Sequence, residues 1–245
     1  MDNYKPTDSF STKLSALAHD VRGDEDQAVQ FLAEQAGRGP ILEFAIGTGR
    51  LALPLVEQGF EVHGIDFSEA MLKRLQEKPN AEQVQVVLGD FVTTRMPHQY
   101  SLVFIAWNSF FNVLTQHDQV TAFQNAAQHL TTNGRFVIEA FTPNQFFTPN
   151  HQTIDSQPLN PNEVTIDVLT HHPATQTIKQ NHVRLSQQQG IQITPVVQRY
   201  AWPAELDLMA SLAGFELESR WASWDKKPFD DDSQSHVSVF SLSDR

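Results

Sequence analysis

Residues 41–55 read ILEFAIGTGRLALPL. An apolar run suited to a buried strand meets Gly47-Thr48-Gly49 and passes at once into the apolar spacing of a helix. Two glycines at a strand-to-helix crossing permit a tight turn and let a ligand come close to backbone amides. Gly47 to Ala52 satisfies G-x-G-x-x-G/A, and Asp66 stands 19 residues after Gly47, as the dinucleotide-type fingerprint requires. Such a crossing commits the chain to strands and helices wound around a parallel sheet, with ligands at the carboxyl ends of the strands.

The rest of the first half keeps that rhythm. Strands are expected over 41–46, 60–66, 84–90, 100–107 and 135–141, with helices over 51–58, 68–78 and 118–130. A helix over 10–38 precedes them, its face carried by Leu14, Leu17 and Val21, then Val29, Phe31, Leu32 and Ala36. Ser68 is expected to cap its helix, and Pro54 to cost the preceding one some regularity. The rhythm breaks at Thr142. Residues 143–161 read as loop, and 163–170, 177–186 and 191–202 as strands of an antiparallel insertion. Pro203 to Ala213 reads as a helix, and 215–224 and 236–243 as two closing strands. The expected organisation is one domain: a cofactor-binding part (1–142), an insertion covering the substrate (143–201), and a closing helix with two strands (202–245).

Composition excludes several functions. The 245 residues contain no cysteine, so disulfides, thiolate metal sites and a cysteine nucleophile are absent. The net charge is −12 and no cationic cluster is present, which argues against nucleic acid. The acidic surplus serves solubility or attracts a cationic substrate. The opening MDNYKPTDSFSTK lacks the apolar core of a signal peptide, and no run is long enough to span a membrane. The expected location is the cytoplasm, without a membrane partner. His171 and His172, adjacent in a strand, point to opposite faces, and no metal-ligand spacing occurs. No metal is expected, and the oligomeric state is left open.

Glu43 narrows the ligand. A buried carboxylate beside a diphosphate is repulsive in a low dielectric. A ligand carrying an ammonium and a sulfonium, with a ribose for Asp66, suits it: S-adenosylmethionine. For Asp66 a helix-capping role is the competing reading.

ILEFAIGTGRLALPLVEQGFEVHGIDFSEAML (41–72) resembles the opening of class I S-adenosylmethionine-dependent methyltransferases. VLGDF (87–91), VFIAWNSFFNVL (103–114), NGRFVIEAF (133–141) and ELDLMASLAGFELESRWAS (205–223) resemble later segments of their small-molecule branch. The resemblance implies a Rossmann-like, doubly wound, mainly parallel seven-stranded sheet whose last strand is antiparallel. It implies a cofactor site built from Glu43, Ala45, Gly47, Thr48, Gly49 and Arg50 at the first loop. Asp66, Phe67 and Met71 follow at the second, Gly89, Asp90 and Phe91 at the adenine, and Trp107 and Asn108 at the methyl. Ala45 stands where many members carry glycine. Trp107, Asn108 and Tyr200 are candidates to position the acceptor, and Phe110, Phe111 and Trp202 read equally as pocket walls or core. Asp230 to Asp232 read as a solvated turn or a cation selector. The expected activity is in-line methyl transfer to a small molecule, an amine or other cationic compound, a general base being needed only if the acceptor carries a proton at a high pKa. The alternatives are a nicotinamide-dependent oxidoreductase and a non-catalytic S-adenosylmethionine-binding regulator.

Overall fold

The computed structural model describes residues 23–156 and 162–243; the expected helix over 10–22 lies outside them. Helix α1 (Glu25–Ala36) buries Ala28, Val29, Phe31, Leu32 and Ala36, a spacing that places them on one stripe. Then come β1 (Ile41–Phe44), α2 (Ala52–Glu57), β2 (Val62–Asp66), α3 (Glu69–Gln76), β3 (Gln85–Leu88), β4 (Tyr100–Ile105), α4 (Gln116–His129) and β5 (Leu130–Phe141). The insertion supplies β6 (Gln152–Ser156), β7 (Glu163–His172), β8 (Thr177–Ser186) and β9 (Gly190–Arg199). Helix α5 (Pro203–Leu212) and strands β10 (Phe215–Trp221) and β11 (Ser235–Leu242) close the chain.

Seven strands form one sheet in the order β10-β11-β5-β4-β1-β2-β3, and β6 to β9 form a second. β1 pairs in parallel with β2 and β4, so the order reverses at its carboxyl end and leaves a crevice there. β11 runs antiparallel between β5 and β10. Alternate residues of the central strands feed two cores: Leu42, Phe44, Val103 and Ile105 on one side, Ile41, Leu102 and Phe104 on the other. That double burial explains their unbroken apolar sequences.

Four local readings change. β1 ends at Phe44, because Ala45 turns left-handed with φ 56°. Pro54 is the third residue of α2, where its missing N–H has no intrahelical acceptor to lose. β5 begins at Leu130, which pairs with Tyr100 before the register shifts to Leu102 and Arg135. Asn133-Gly134 is therefore a bulge inside the strand. β6 arises where a loop was expected, since QTIDS is short and polar and needs only the one neighbour it pairs with, β7. Ser68 caps α3 as expected, its Oγ accepting the Met71 N–H at 3.3 Å.

The insertion is tied down at its exit. The buried Arg199 guanidinium donates to Gln119 Oε1 at 2.6 Å, Gln176 Oε1 at 3.2 Å and Glu205 Oε1 at 2.7 Å. Gln119 in turn donates to the Arg199 carbonyl at 2.9 Å. Burial raises the Glu205 pKa, but hydrogen bonds from Arg199, Gln176 and Gln116 outweigh it and hold the carboxyl below its ordinary value. Removing one member of a buried ion pair leaves the other uncompensated. Arg199→Met should therefore cost about 3 kcal/mol, roughly 6–12 °C in melting temperature. The loss should shrink as pH falls below 4.5 through the depressed Glu205 pKa, because protonation removes the same ion pair from the wild type. Calorimetric melts at pH 7 and pH 4 check this; an equal loss at both sinks it.

Candidate active site

The crevice is built by three loops at the carboxyl ends of β1, β2 and β4. Its lining includes Glu43, Ala45, Gly47, Thr48 and Arg50, then Asp66, Phe67 and Met71, then Trp107, Ser109 and Asn112. The first loop turns through left-handed backbone at Ala45 (φ 56°), Gly47 (φ 57°) and Gly49 (φ 76°). A Cβ on Gly49 would also lie 2.9 Å from Leu75 Cδ1. The two glycines thus answer a conformational demand that Ala45 meets under strain.

Asp66 braces that loop. Its Oδ2 accepts the Gly47 N–H at 2.8 Å and its Oδ1 accepts the Ser68 N–H at 2.8 Å. The carboxyl group therefore braces the loop and holds the amide of the cap residue Ser68, with lone pairs remaining for hydroxyls. It is 6% exposed. Burial raises its pKa to about 6, against the backbone hydrogen bonds from Ser68, Gly47 and Phe67.

Glu43 is more extreme. It is 5% exposed, and its Oε2 has no hydrogen-bond partner. Burial pushes its pKa well above the carboxylate range, the Asp66 charge adds to this, and Arg50 and the Ala52 N–H oppose it. A buried, half-satisfied carboxyl lining a cleft is a place for a cation. Arg50 itself approaches Asp24 at 3.4 Å and Glu25 at 3.3 Å and lies over the Trp107 ring, 5.4 Å from its centroid.

The third loop is strained and heavily tied. Trp107 (φ 52°) and Asn108 (φ 58°) are consecutive left-handed residues. The Trp107 N–H donates to Glu139 Oε2 at 2.7 Å, and the Asn108 N–H to the Glu139 carbonyl at 3.2 Å. Asn108 Oδ1 accepts the Phe141 N–H at 2.6 Å. Asn108 is therefore a tie between strand ends and does not line the cleft.

Several sequence candidates go elsewhere. Phe91 is buried in the core, stacked on Phe44 with centroids 5.5 Å apart. Asp90, exposed, accepts the Val92 N–H at 2.9 Å, and Gly89 donates to the Asp66 carbonyl at 2.9 Å. Tyr200 is buried, its hydroxyl 2.9 Å from His171 Nε2. Phe110 and Phe111 are core. Missed by sequence reasoning is Gln198, whose Nε2 donates to Asn112 Oδ1 at 3.2 Å and to the Asn108 carbonyl at 3.4 Å; Asn112 is marked by its place past the fourth strand, where the family resemblance puts the reacting methyl. They are 86 residues apart, and nothing local signals the meeting.

Residues 41–134 match the model of a family described as a methyltransferase domain. The CcbJ methyltransferase from Streptomyces caelestis is 35% identical, with a TM-score of 0.92 over 98% of this chain and 100% of that one. The chain belongs to the class I S-adenosylmethionine-dependent methyltransferase family. Among curated members, putative methyltransferase YqeM of Bacillus subtilis (strain 168) is 34% identical over 42% of this chain and 42% of its own. An uncharacterized methyltransferase of Geobacillus thermodenitrificans is 32% identical over 56% of this chain and 62% of its own; the matches thus span about half the length of these relatives. The sugar N-methyltransferase KedS8 from Streptoalloteichus shares the fold, with 18% identity and a TM-score of 0.66 over 91% of this chain and 88% of that one. The cleft of this methyltransferase fits the family's cofactor by its donor set: an orphaned acid for an ammonium and a second acid for a ribose.

The two acids make the cofactor-free protein pH-sensitive. Each carboxyl binds a proton more readily folded than unfolded, so its contribution falls as pH rises. For Asp66 the window is 3.8 to about 6, and for Glu43 it opens at 4.5 and extends upward. Glu43→Gln, which cannot ionise, should melt near the wild-type temperature at pH 4.5 and increasingly above it toward pH 8. Differential scanning fluorimetry across that range checks this; a pH-independent difference refutes the assignment.

Proposed function

We propose that the chain transfers a methyl group from S-adenosylmethionine to the neutral amine nitrogen of a small molecule. The observation that carries this reading is the orphaned Glu43 oxygen in the cleft beside the glycine loop. An ammonium there completes its hydrogen bonding, and a diphosphate would be repelled. Glu43 holds the amino end, Asp66 the ribose hydroxyls, and Phe67 and Met71 the base. The Trp107 ring walls the reacting end, where a sulfonium gains from its π face.

When bound, the cofactor supplies an activated methyl. The chain's own residues align and dry the acceptor. Transfer to an amine would exchange one S–C bond for one N–C bond, and the surplus ammonium proton would leave to water. Asn112 and Gln198 meet where the insertion reaches the cleft lip, and we assign them the acceptor's N–H groups. Amides orient a neutral amine without taking its proton, and alignment of this kind supplies up to ~7–11 kcal/mol of barrier reduction. The residues 143–201 then act as the wall that selects the acceptor.

Isothermal titration should show S-adenosylmethionine binding with NAD ignored. Affinity should rise with pH as Glu43 ionises, and Glu43→Gln should weaken binding about 10- to 100-fold, as expected for a lost charged hydrogen bond of ~1.5–3 kcal/mol. Transfer of isotope-labelled methyl to a panel of secondary amines, phenols and carboxylates should mark amines. Tight cofactor binding with no acceptor methylated overturns the catalytic reading in favour of a sensor.

A further inference from the structure

Ladder pairing between β4 and β5 ends at Ile105 and Ile138. The chain then turns left-handed at Trp107 and Asn108, so their amides need acceptors outside the ladder. Glu139 supplies both. Its side-chain Oε2 takes the Trp107 N–H at 2.7 Å, and its main-chain carbonyl takes the Asn108 N–H at 3.2 Å. Position 139 is an unusual place for an acid. Glu139 stands between Ile138 and Ala140, is 8% exposed and pairs with Val237 of β11. Glu43 pairs with Phe104, and Phe104 with Val137. Glu139, two residues on, therefore shares the face of the sheet that carries Glu43. Burying a carboxyl group there costs desolvation that an apolar residue would avoid. What it gives in return is a strong, charge-assisted hydrogen bond to a non-glycine residue held in left-handed backbone.

We propose that Glu139 is a positioning residue for the methyl transfer: it holds Trp107 left-handed so that the indole meets the sulfonium, and so makes the cleft prefer the charged cofactor to its neutral thioether product. This rests on the assignment of Trp107 to the reacting end. The ring lines the cleft and already meets one cation there, the Arg50 guanidinium, 5.4 Å from its centroid. The sulfonium and thioether forms share the amino-acid tail and the ribose, so Glu43 and Asp66 serve both alike. The forms differ by one methyl and its charge, which is what an aromatic face reads. Released from Glu139, Trp107 relaxes out of left-handed backbone and the preference goes with it.

Isothermal titration of the full chain with S-adenosylmethionine and with S-adenosylhomocysteine gives the ratio of the two Kd values. Trp107→Ala should lower the preference for the sulfonium about 5- to 30-fold, and Glu139→Ala should lower it as far. The double variant should fall no further, because the two residues act as one unit. Glu139→Gln, which keeps an oxygen acceptor for the Trp107 N–H, should restore most of the preference. A ratio lowered by Trp107→Ala but not by Glu139→Ala overturns the proposal. So does an equal loss of affinity for both ligands, which marks Glu139 as merely structural, and so does a failure of Glu139→Gln to rescue. A ratio unmoved by Trp107→Ala overturns the sulfonium wall and this inference with it. Should Glu139→Ala fail to fold, Glu139→Met, which fills the buried position without an acceptor oxygen, must show the same fall. No acceptor enters the measurement, so its outcome is independent of whether an amine is methylated.

Discussion

Two carboxyl groups on adjacent strands, held one beneath and one beside a glycine loop, set the character of this fold's ligand end. Glu43 pairs in register with Gly64, two residues before Asp66, so the two acids project from the same face of the sheet. Gly64 has no side chain where Ile46 folds over it; a Cβ there would lie 2.3 Å from Ile46 Cδ1. That gap lets the loop turn back across β2, where Gly47 reaches Asp66. The acids repel each other and resist ionisation. A ligand that is positive at one end and rich in hydroxyls at the other relieves both conditions.

Strain gathers at the same edge. Ala45, Trp107 and Asn108 are non-glycine residues in left-handed backbone, a geometry costing of order 1–3 kcal/mol each. It persists because neighbouring groups leave no alternative. Glu139 takes the Trp107 and Asn108 amides, and Asn108 in turn takes the Phe141 amide. The two stressed loops face each other across the cleft, with Arg50 lying over the Trp107 ring. Rigid loops suit a displacement that depends on alignment more than on proton transfer.

Much of this was legible from one dimension. The strands and helices of 41–141 announced themselves by apolar period, and the glycine loop and Asp66 by spacing, because both are local. The reversed β11 came from resemblance. What was not legible was of two kinds. Phe91 and Tyr200 carried the right residue type near the right strand ends, but which way an aromatic turns depends on partners such as Phe44 and His171 that are distant in sequence. The Asn112–Gln198 contact needs the register of β9 and the docking of the insertion. β6 has no apolar alternation strong enough to mark it.

The exit of the insertion explains how a distant strand can serve the cleft. Arg199, buried, is locked by Gln119, Gln176 and Glu205. Its neighbour Gln198 necessarily points to the other face of β9, toward Asn112. Gln119, Gln176 and Glu205 belong respectively to α4, the turn between β7 and β8, and α5, so the network fixes the strand from three directions. A hinge at this point would break several buried hydrogen bonds at once. The insertion is therefore held as a wall at its exit, and acceptor choice on the proposed reading rests on fixed amide geometry.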